Sequence, residues 1–532
     1  MRAKAFPQRR RNGRLGPLAT AALLMLPLAA CGGSDSGDVS DDGASSDIDR
    51  ELVVGITEDL TGANPLQRPS SLIFGVLSNV FDSHVGQDPE TQEMVPQIFT
   101  SWEPNADATE WTIQIRDDVT FHNGEELTAD DVKFTLDFIL SPEMGGHEIN
   151  IFWNTVQEIE VVGDYELVLR TATSTPGLIE TSELAILPKD YIEEVGWDGF
   201  DEAPIGSGPY KWVEWRAGEH LVLEANEDYW GGAPEIKDLR FRVITDEAAM
   251  GASYQAGEVH VAQNIPLELY RSLENDPELG VGTSSSARHY ILLDTTRPPF
   301  DDVRVRQALN HAIDWDTIIE ELLAGLVERT PAILGSAERG FNPDLEPYEY
   351  DPERARELLG EAGYPDGVDV EYWARKGVFQ IEQVAPAILP YLEEAGFRAT
   401  LSVKERGDVE DLAEERTLAQ MVSTNWGINQ QLIGMEIYQT RFTCNEETMS
   451  NTWGGWYCNP RYDELAAEAI AQWIDDPEAV DAKTREMEAI LQEDAGVGFA
   501  YMIPRLYGLV KSLDWILTPT QNLNFARARW LS

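Results

Sequence analysis

Residues 111–116 alternate apolar and polar, with Trp111, Ile113 and Ile115 set against Thr112, Gln114 and Arg116, the period of a strand with one buried face. Soon after, Thr128-Ala129-Asp130-Asp131 reads as a capping box, and Val132, Leu136, Ile139 and Leu140 fall on one helical stripe. This switch from strand period to helix period recurs to the end of the chain. It excludes a helical bundle and an all-β sandwich and predicts an α/β body.

Residues 159–162 and 165–169 flank Gly163-Asp164, a pair suited to the positive backbone angles of a tight hairpin turn. Leu221 and Leu223, then Leu239, Phe241 and Val243, repeat the strand alternation. The second half is richer in helix. Asp314 caps a stripe of Ile318, Ile319, Leu322 and Leu323 that stops at Gly325. Asp351-Pro352 opens a helix with Ala355, Leu358, Leu359 and Ala362 facing inward, which Gly363 and Pro365 close. Asn459-Pro460 and Asp476-Pro477 start two more, and no solenoid repeat is present.

Arg2, Lys4, Arg9, Arg10, Arg11 and Arg14 form a basic head before an apolar run at residues 15–30. That pattern is a secretory signal, too short to span a bilayer. Leu28-Ala29-Ala30-Cys31 resembles the lipobox of bacterial lipoproteins, which implies cleavage before Cys31 and a diacylglyceryl anchor on its thiol. The plainer alternative is an ordinary cleaved signal with an incidental Cys. Residues 31–47, rich in Gly, Ser and Asp, then read as a flexible tether. The expected location is extracytoplasmic, on the outer face of the cell membrane.

With 40 basic and 94 acidic residues the chain carries a formal charge of −54, which repels nucleic acid and disfavours anionic ligands unless a local basic pocket overrides the field. The acid-rich, Lys-poor balance suggests a salty habitat, and genomic drift toward Arg is the alternative. Once Cys31 is set aside, Cys444 and Cys458 are left. In an oxidising compartment they are expected to pair, a metal site being disfavoured without a nearby His.

Four stretches together resemble the extracellular solute-binding proteins of family 5, the peptide and nickel binders of ABC importers: WTIQIRDDVTFHNGEELTADDVKFTLDFI (111–139), PIGSGPYKWVEWRAGEHLVLEANEDYWGG (204–232), RPPFDDVRVRQALNHAID (297–314) and YDPERARELLGEAGYPDG (350–367). Physically these stretches mark scaffold. Gly206-Ser207-Gly208-Pro209 makes a tight turn, Val303, Ala308, Leu309 and Ile313 form a core face, Arg304 and Arg306 suit structural ion pairs, and Asn226, Tyr229 and Trp230 suit packing. The resemblance implies a two-lobed periplasmic-binding-protein fold of type II, with lobe one at 48–89, 198–286 and 508–532, a subdomain at 90–197 and lobe two at 287–507. It also implies a monomer that hands its solute to ABC permease and ATPase subunits.

Many peptide-binding members of that family carry an Asp that grips the ligand's amino terminus, where this chain has Asn429 beside Gln430 and Gln431; Asp294 likewise stands where Asn is common. An amide holds an ammonium weakly, which disfavours free-amino peptides and favours neutral polar ligands such as oligosaccharides or capped peptides. Trp426 and Trp453 are candidates to stack on ligand, and Asn64 is a weaker candidate; all compete with core roles in a chain of 15 Trp. No cofactor is expected: seven scattered His disfavour nickel, and no Gly-Lys-[Ser/Thr] phosphate loop occurs. An exported hydrolase is the rival from another class, disfavoured because His147-Glu148 lacks the second His of a metalloprotease and no G-x-S-x-G occurs, and a purely structural lipoprotein is a further alternative.

Overall fold

The computed structural model describes residues 50–531, apart from 68–69, 89–93, 145–147, 181–183, 337, 428–440, 445–454, 473–475 and 519–521. Cys31, His147, Asn429, Gln430, Gln431 and Trp453 lie outside the described residues. Ten strands form one sheet in the order Phe397–Lys404, Val368–Arg375, Met421–Gly427, Leu279–Leu293, Gly498–Val510, Val261–Gln263, Leu52–Ile56, Asp238–Val243, His220–Ala225, Tyr210–Arg216. Two long antiparallel strands at its centre, Leu279–Leu293 and Gly498–Val510, pass from one lobe to the other. Their ladder shifts register between Ser284 and Ala287 and again between His289 and Tyr290.

A separate four-stranded sheet, in the order Phe99–Pro104, Glu110–Ile115, Glu166–Thr171, Val156–Gly163, packs on the first lobe. It shares one apolar core with it: Trp111 and Leu169 belong to the same cluster as Leu52 and Phe241. Helices Val303–Ala312, Pro352–Glu361 and Ile381–Ala395 bury a second core that holds Leu309, Leu359 and Ile388. Helices Pro460–Gln472 and Pro477–Glu493 build a third, holding Tyr462 and Met487. No helix among the described residues is long and apolar enough to cross a membrane.

Local signals account for most element boundaries. Thr128 and Asp131 make the expected capping box. The side chains of Asp314, Asp351 and Asp476 accept hydrogen bonds from Thr317, Arg354 and Ala479, and Gly325 and Gly363 follow their helices with φ of 69° and 99°. Two details differ from expectation. Gly163 stays in its strand opposite Glu166, so the hairpin loop falls on Asp164 and Tyr165, neither of which has positive φ. On the helix Val303–Ala312, Val305 rather than Val303 is fully buried, because Val303 lies in the first turn, just beyond the cap Asp302.

The Gly206–Gly208 turn lies against the backbone of Val80, where a Cβ on Gly206 would come within 2.0 Å of the Val80 carbonyl oxygen. Beneath it, Tyr229 and Trp230 each donate to the buried Asp82 at 2.8 Å, Asn226 donates to the Gly208 carbonyl, and Arg116 stacks on Trp230 at 3.5 Å. Arg304 pairs with Asp302, and the buried Arg306 donates to the carbonyls of Asp494 and Phe300. The signature residues are therefore scaffold.

Burial pushes Asp82 up from 3.8 to about 6, outweighing its hydrogen bonds to Trp230, Tyr229 and Ser207 and the charge of Arg116. Between those two values the native state holds a proton that the unfolded chain has lost, so this group makes stability fall as pH rises through the window. Relative to Asp82→Asn, the wild type is expected to lose up to about 3 kcal/mol between pH 4 and pH 7, measured by denaturant unfolding of both proteins across that range.

Candidate functional site

Strands Leu52–Ile56, Asp238–Val243 and Val261–Gln263 run parallel in the first lobe, and Val368–Arg375, Met421–Gly427 and Phe397–Lys404 run parallel in the second. Open parallel sheets collect ligands outside the carboxyl ends of their strands. Gln263, at one such end, pairs with Tyr507 of a crossing strand, and Gly427, at the end of another, pairs with Ala287 of its partner. Both sets of carboxyl ends thus converge on the segment where Ser284 pairs with Arg505 and Ala287 with Ile503. Two topological switch points meet there.

On the first-lobe side, the Thr57 hydroxyl donates to Gln263 Oε1 at 2.9 Å. Gln263 Nε2, Ser284 Oγ and Tyr507 OH are all buried, with the phenol interacting with the other two side chains. On the second-lobe side the buried Arg288 pairs with Glu338 through one nitrogen, while its Nε and Nη1 are unpartnered. Glu338 is held in turn by the Gly335 N–H at 2.8 Å. Arg375 donates to the carbonyl and side-chain oxygens of Asn425, and its pKa is lowered chiefly by burial. Trp426 lies opposite Arg288 in the ladder, half-buried, with the Arg441 guanidinium 4.1 Å from its ring centroid. Glu410 lies 3.7 Å from Arg375. A chain of net charge −54 therefore gathers Arg288, Arg375, Arg441 and Arg505 around one crossing.

At the rim, the four-stranded sheet and the helix Pro460–Gln472 approach each other. A cleft of about 430 Å³ is lined there by residues 104–109, Ser174 and Pro176 on one side and by Ile470 and Ala471 on the other.

Of the singled-out residues that the structure describes, Trp426 is the one at the crossing. Asn64 is buried, and its Oδ1 accepts from the Leu66 N–H at 2.9 Å, so its carboxamide shapes its own loop. Asp294 accepts from Thr296 and pairs with Arg297, a turn-holding role. Cys444 and Cys458 form a disulfide with Cα atoms 5.0 Å apart, and the Cys444 N–H is held by Asp463. Gln263, Ser284, Arg288, Arg375, Arg505 and Tyr507 were not found from sequence. The signal available for the arginines was a charged residue inside an otherwise apolar strand, as in GFAYMIPRLYGLV.

Residues 93–446 match the family of bacterial extracellular solute-binding proteins, family 5, in its middle region. The chain belongs to this family. It is 26% identical over 557 residues to the oligopeptide-binding protein AppA of Bacillus subtilis, covering 98% of this chain and all of that one. It is 27% identical over 392 residues to the glutathione-binding protein GsiB of Pectobacterium atrosepticum, covering 71% and 74%. Its fold matches the periplasmic binding protein DppA of Helicobacter pylori in complex with the peptide STSA, with a TM-score of 0.74 at 22% identity over 91% of this chain and 98% of that one. A two-lobed solute-binding fold of type II, operating outside the cytoplasm, accounts for the sheet, the paired crossing strands and the converging strand ends.

Glu338 is the counter-ion of a buried guanidinium, and removing one partner of such a pair leaves an uncompensated buried charge. Glu338→Gln is expected to lower the unfolding free energy by about 3 kcal/mol or more, read from denaturant midpoints against wild type.

Proposed function

We propose that this protein is the receptor of an ABC importer, tethered outside the cell by a lipid on Cys31, that encloses an oligopeptide or similar polar oligomer between its lobes and delivers it to a membrane permease. In this reading the lobes divide as the sequence suggests, at 286/287 and 507/508, and the cleft closes about the crossing strands. The observation that carries it is the convergence of carboxyl strand ends from both lobes on the Ser284–Arg505 crossing, in a family of solute-binding proteins. The oligopeptide class rests on relatives named for binding oligopeptide and glutathione. An oligosaccharide is the second reading, favoured by Trp426 at the crossing and by Asn429 in place of an acid. Trp426, Trp453 and Asn429 are the proposed ligand contacts around the cleft, with Asn64 at most a support for its loop. Lobe closure requires no chemistry on the solute, so the solute leaves unchanged.

Titrating purified protein with peptides of increasing length and with neutral oligosaccharides separates these readings. The class that binds raises the unfolding free energy by about 2.7 kcal/mol at a hundredfold excess over Kd and contracts the scattering profile. The importer reading fails if neither class does so, or if mass spectrometry finds the added compound cleaved. For the anchor, Cys31→Ala is expected to move the protein from the membrane fraction to the soluble one and abolish incorporation of labelled palmitate. Retention of both would sink the lipid assignment.

A further inference from the structure

We propose that Arg505 is the anchor for an anionic group of the solute, a carboxylate or a similar planar oxyanion, at the floor of the cleft. The proposal rests on the importer reading and specifies its ligand.

Arg505 is half-buried on the crossing strand Gly498–Val510, paired with Ser284, two residues along the strand from the pair that Tyr507 makes with Gln263. Strand side chains alternate, so Arg505 and Tyr507 share a face. Ser284 pairs with Arg505 and Gln263 with Tyr507, so the four side chains lie on one face of the sheet, where the Tyr507 hydroxyl interacts with Gln263 and Ser284. Among the described residues, the Arg505 guanidinium makes neither a hydrogen bond nor an ion pair. The half-buried Arg116 and Arg329 are paired with Asp118 and Asp316, and the buried Arg306 donates to backbone carbonyls. With 94 acidic residues available, a partner for Arg505 would have been easy to supply.

A guanidinium stays charged at any physiological pH and presents a planar fork of donors that matches a carboxylate. Beside it on the same face lie the buried side chains of Gln263 and Ser284, whose polar atoms face the Tyr507 hydroxyl. On the opposite wall, Nε and Nη1 of Arg288 are also unpartnered. A half-buried guanidinium on the crossing strand suits an oxyanion and not an ammonium group.

The test uses the purified full chain, calorimetric titration and three probes: a series of peptides as free acids, the same peptides as C-terminal amides, and succinate. Acid and amide share the amino terminus, so their affinity ratio isolates the carboxylate. We expect wild type to prefer the acids by roughly tenfold or more, Arg505→Gln to bring the ratio near one, and Arg505→Lys, a point charge without a fork, to keep a reduced preference. A merely structural role would lower both affinities and leave the ratio in place. If no peptide binds in either form but succinate binds wild type and not Arg505→Gln, the anion site stands and the oligopeptide reading falls. If acid and amide bind wild type alike, or if Arg505→Gln keeps the full ratio, the anion site is overturned and the oligopeptide reading stands. Failure of all three probes overturns both. Should Arg505→Gln not fold, the ratio in wild type against Arg505→Lys decides between the same outcomes.

Discussion

The paired ladder of Leu279–Leu293 and Gly498–Val510 is the constraint on which the rest of the molecule depends. It runs from the Leu279–Val510 pair to the Ile291–Gly498 pair and makes a single hydrogen-bonded sheet out of two lobes that have separate cores. A continuous ladder resists shear, so the proposed lobe motion would concentrate where pairing is interrupted. The shift between Ser284 and Ala287 places one extra residue in a single strand, which raises local twist and bends the ladder. Along Gly498–Val510, Tyr507 packs into the first lobe's core while Tyr501 and Ile503 pack into the second lobe's. The strand changes partners at the same place where its pairing is broken.

That geometry also explains where charge is tolerated. An arginine removed from water loses hydration that only a close anion or several acceptors can replace. Arg288 has Glu338, Arg375 has Asn425 and the more distant Glu410, and Arg441 lies over the ring of Trp426. These local arrangements offset the long-range field of a strongly acidic chain, which repels anions at a distance. A negatively charged solute would meet a slow approach and a favourable floor, so selectivity rests with the floor. Screening by salt weakens the first effect far more than the second, because the crossing is buried and the surface is not.

Much of the fold was legible in the sequence because its boundaries are set by local chemistry. Asp and Thr caps, prolines at helix starts and glycines after helix ends act within a few residues, and Thr128, Asp314, Asp351 and Asp476 all behave as read. The displaced turn at Asp164–Tyr165 shows the limit: the cross-strand register outranked the turn preference of Gly163-Asp164. The site was far less legible. Gln263, Ser284, Arg288, Arg375 and Arg505 come from distant parts of the chain, and their adjacency exists only because one sheet interleaves strands from the beginning, middle and end of the sequence. Trp426 could be found because it neighbours a segment where the family resemblance is informative. Arg505 sits in a strand whose apolar run reads simply as core.

The placement of the arginines divides affinity from closure. Arg505 lies on a strand common to both lobes, at the break in the ladder, so its position relative to the floor changes little as the lobes move. An ion held there alone would bind open and closed forms almost equally, and a ligand with no differential affinity shifts no equilibrium, however tight it is. In the proposed importer, closure has to come from contacts that form only when the second lobe swings in, and Trp426 and Arg441 lie on that lobe. A solute that reaches from the crossing to Trp426 can therefore be both anchored and counted as complete, whereas a small anion can only be anchored. On the proposed reading, the cleft discriminates by length through closure and by charge through its floor.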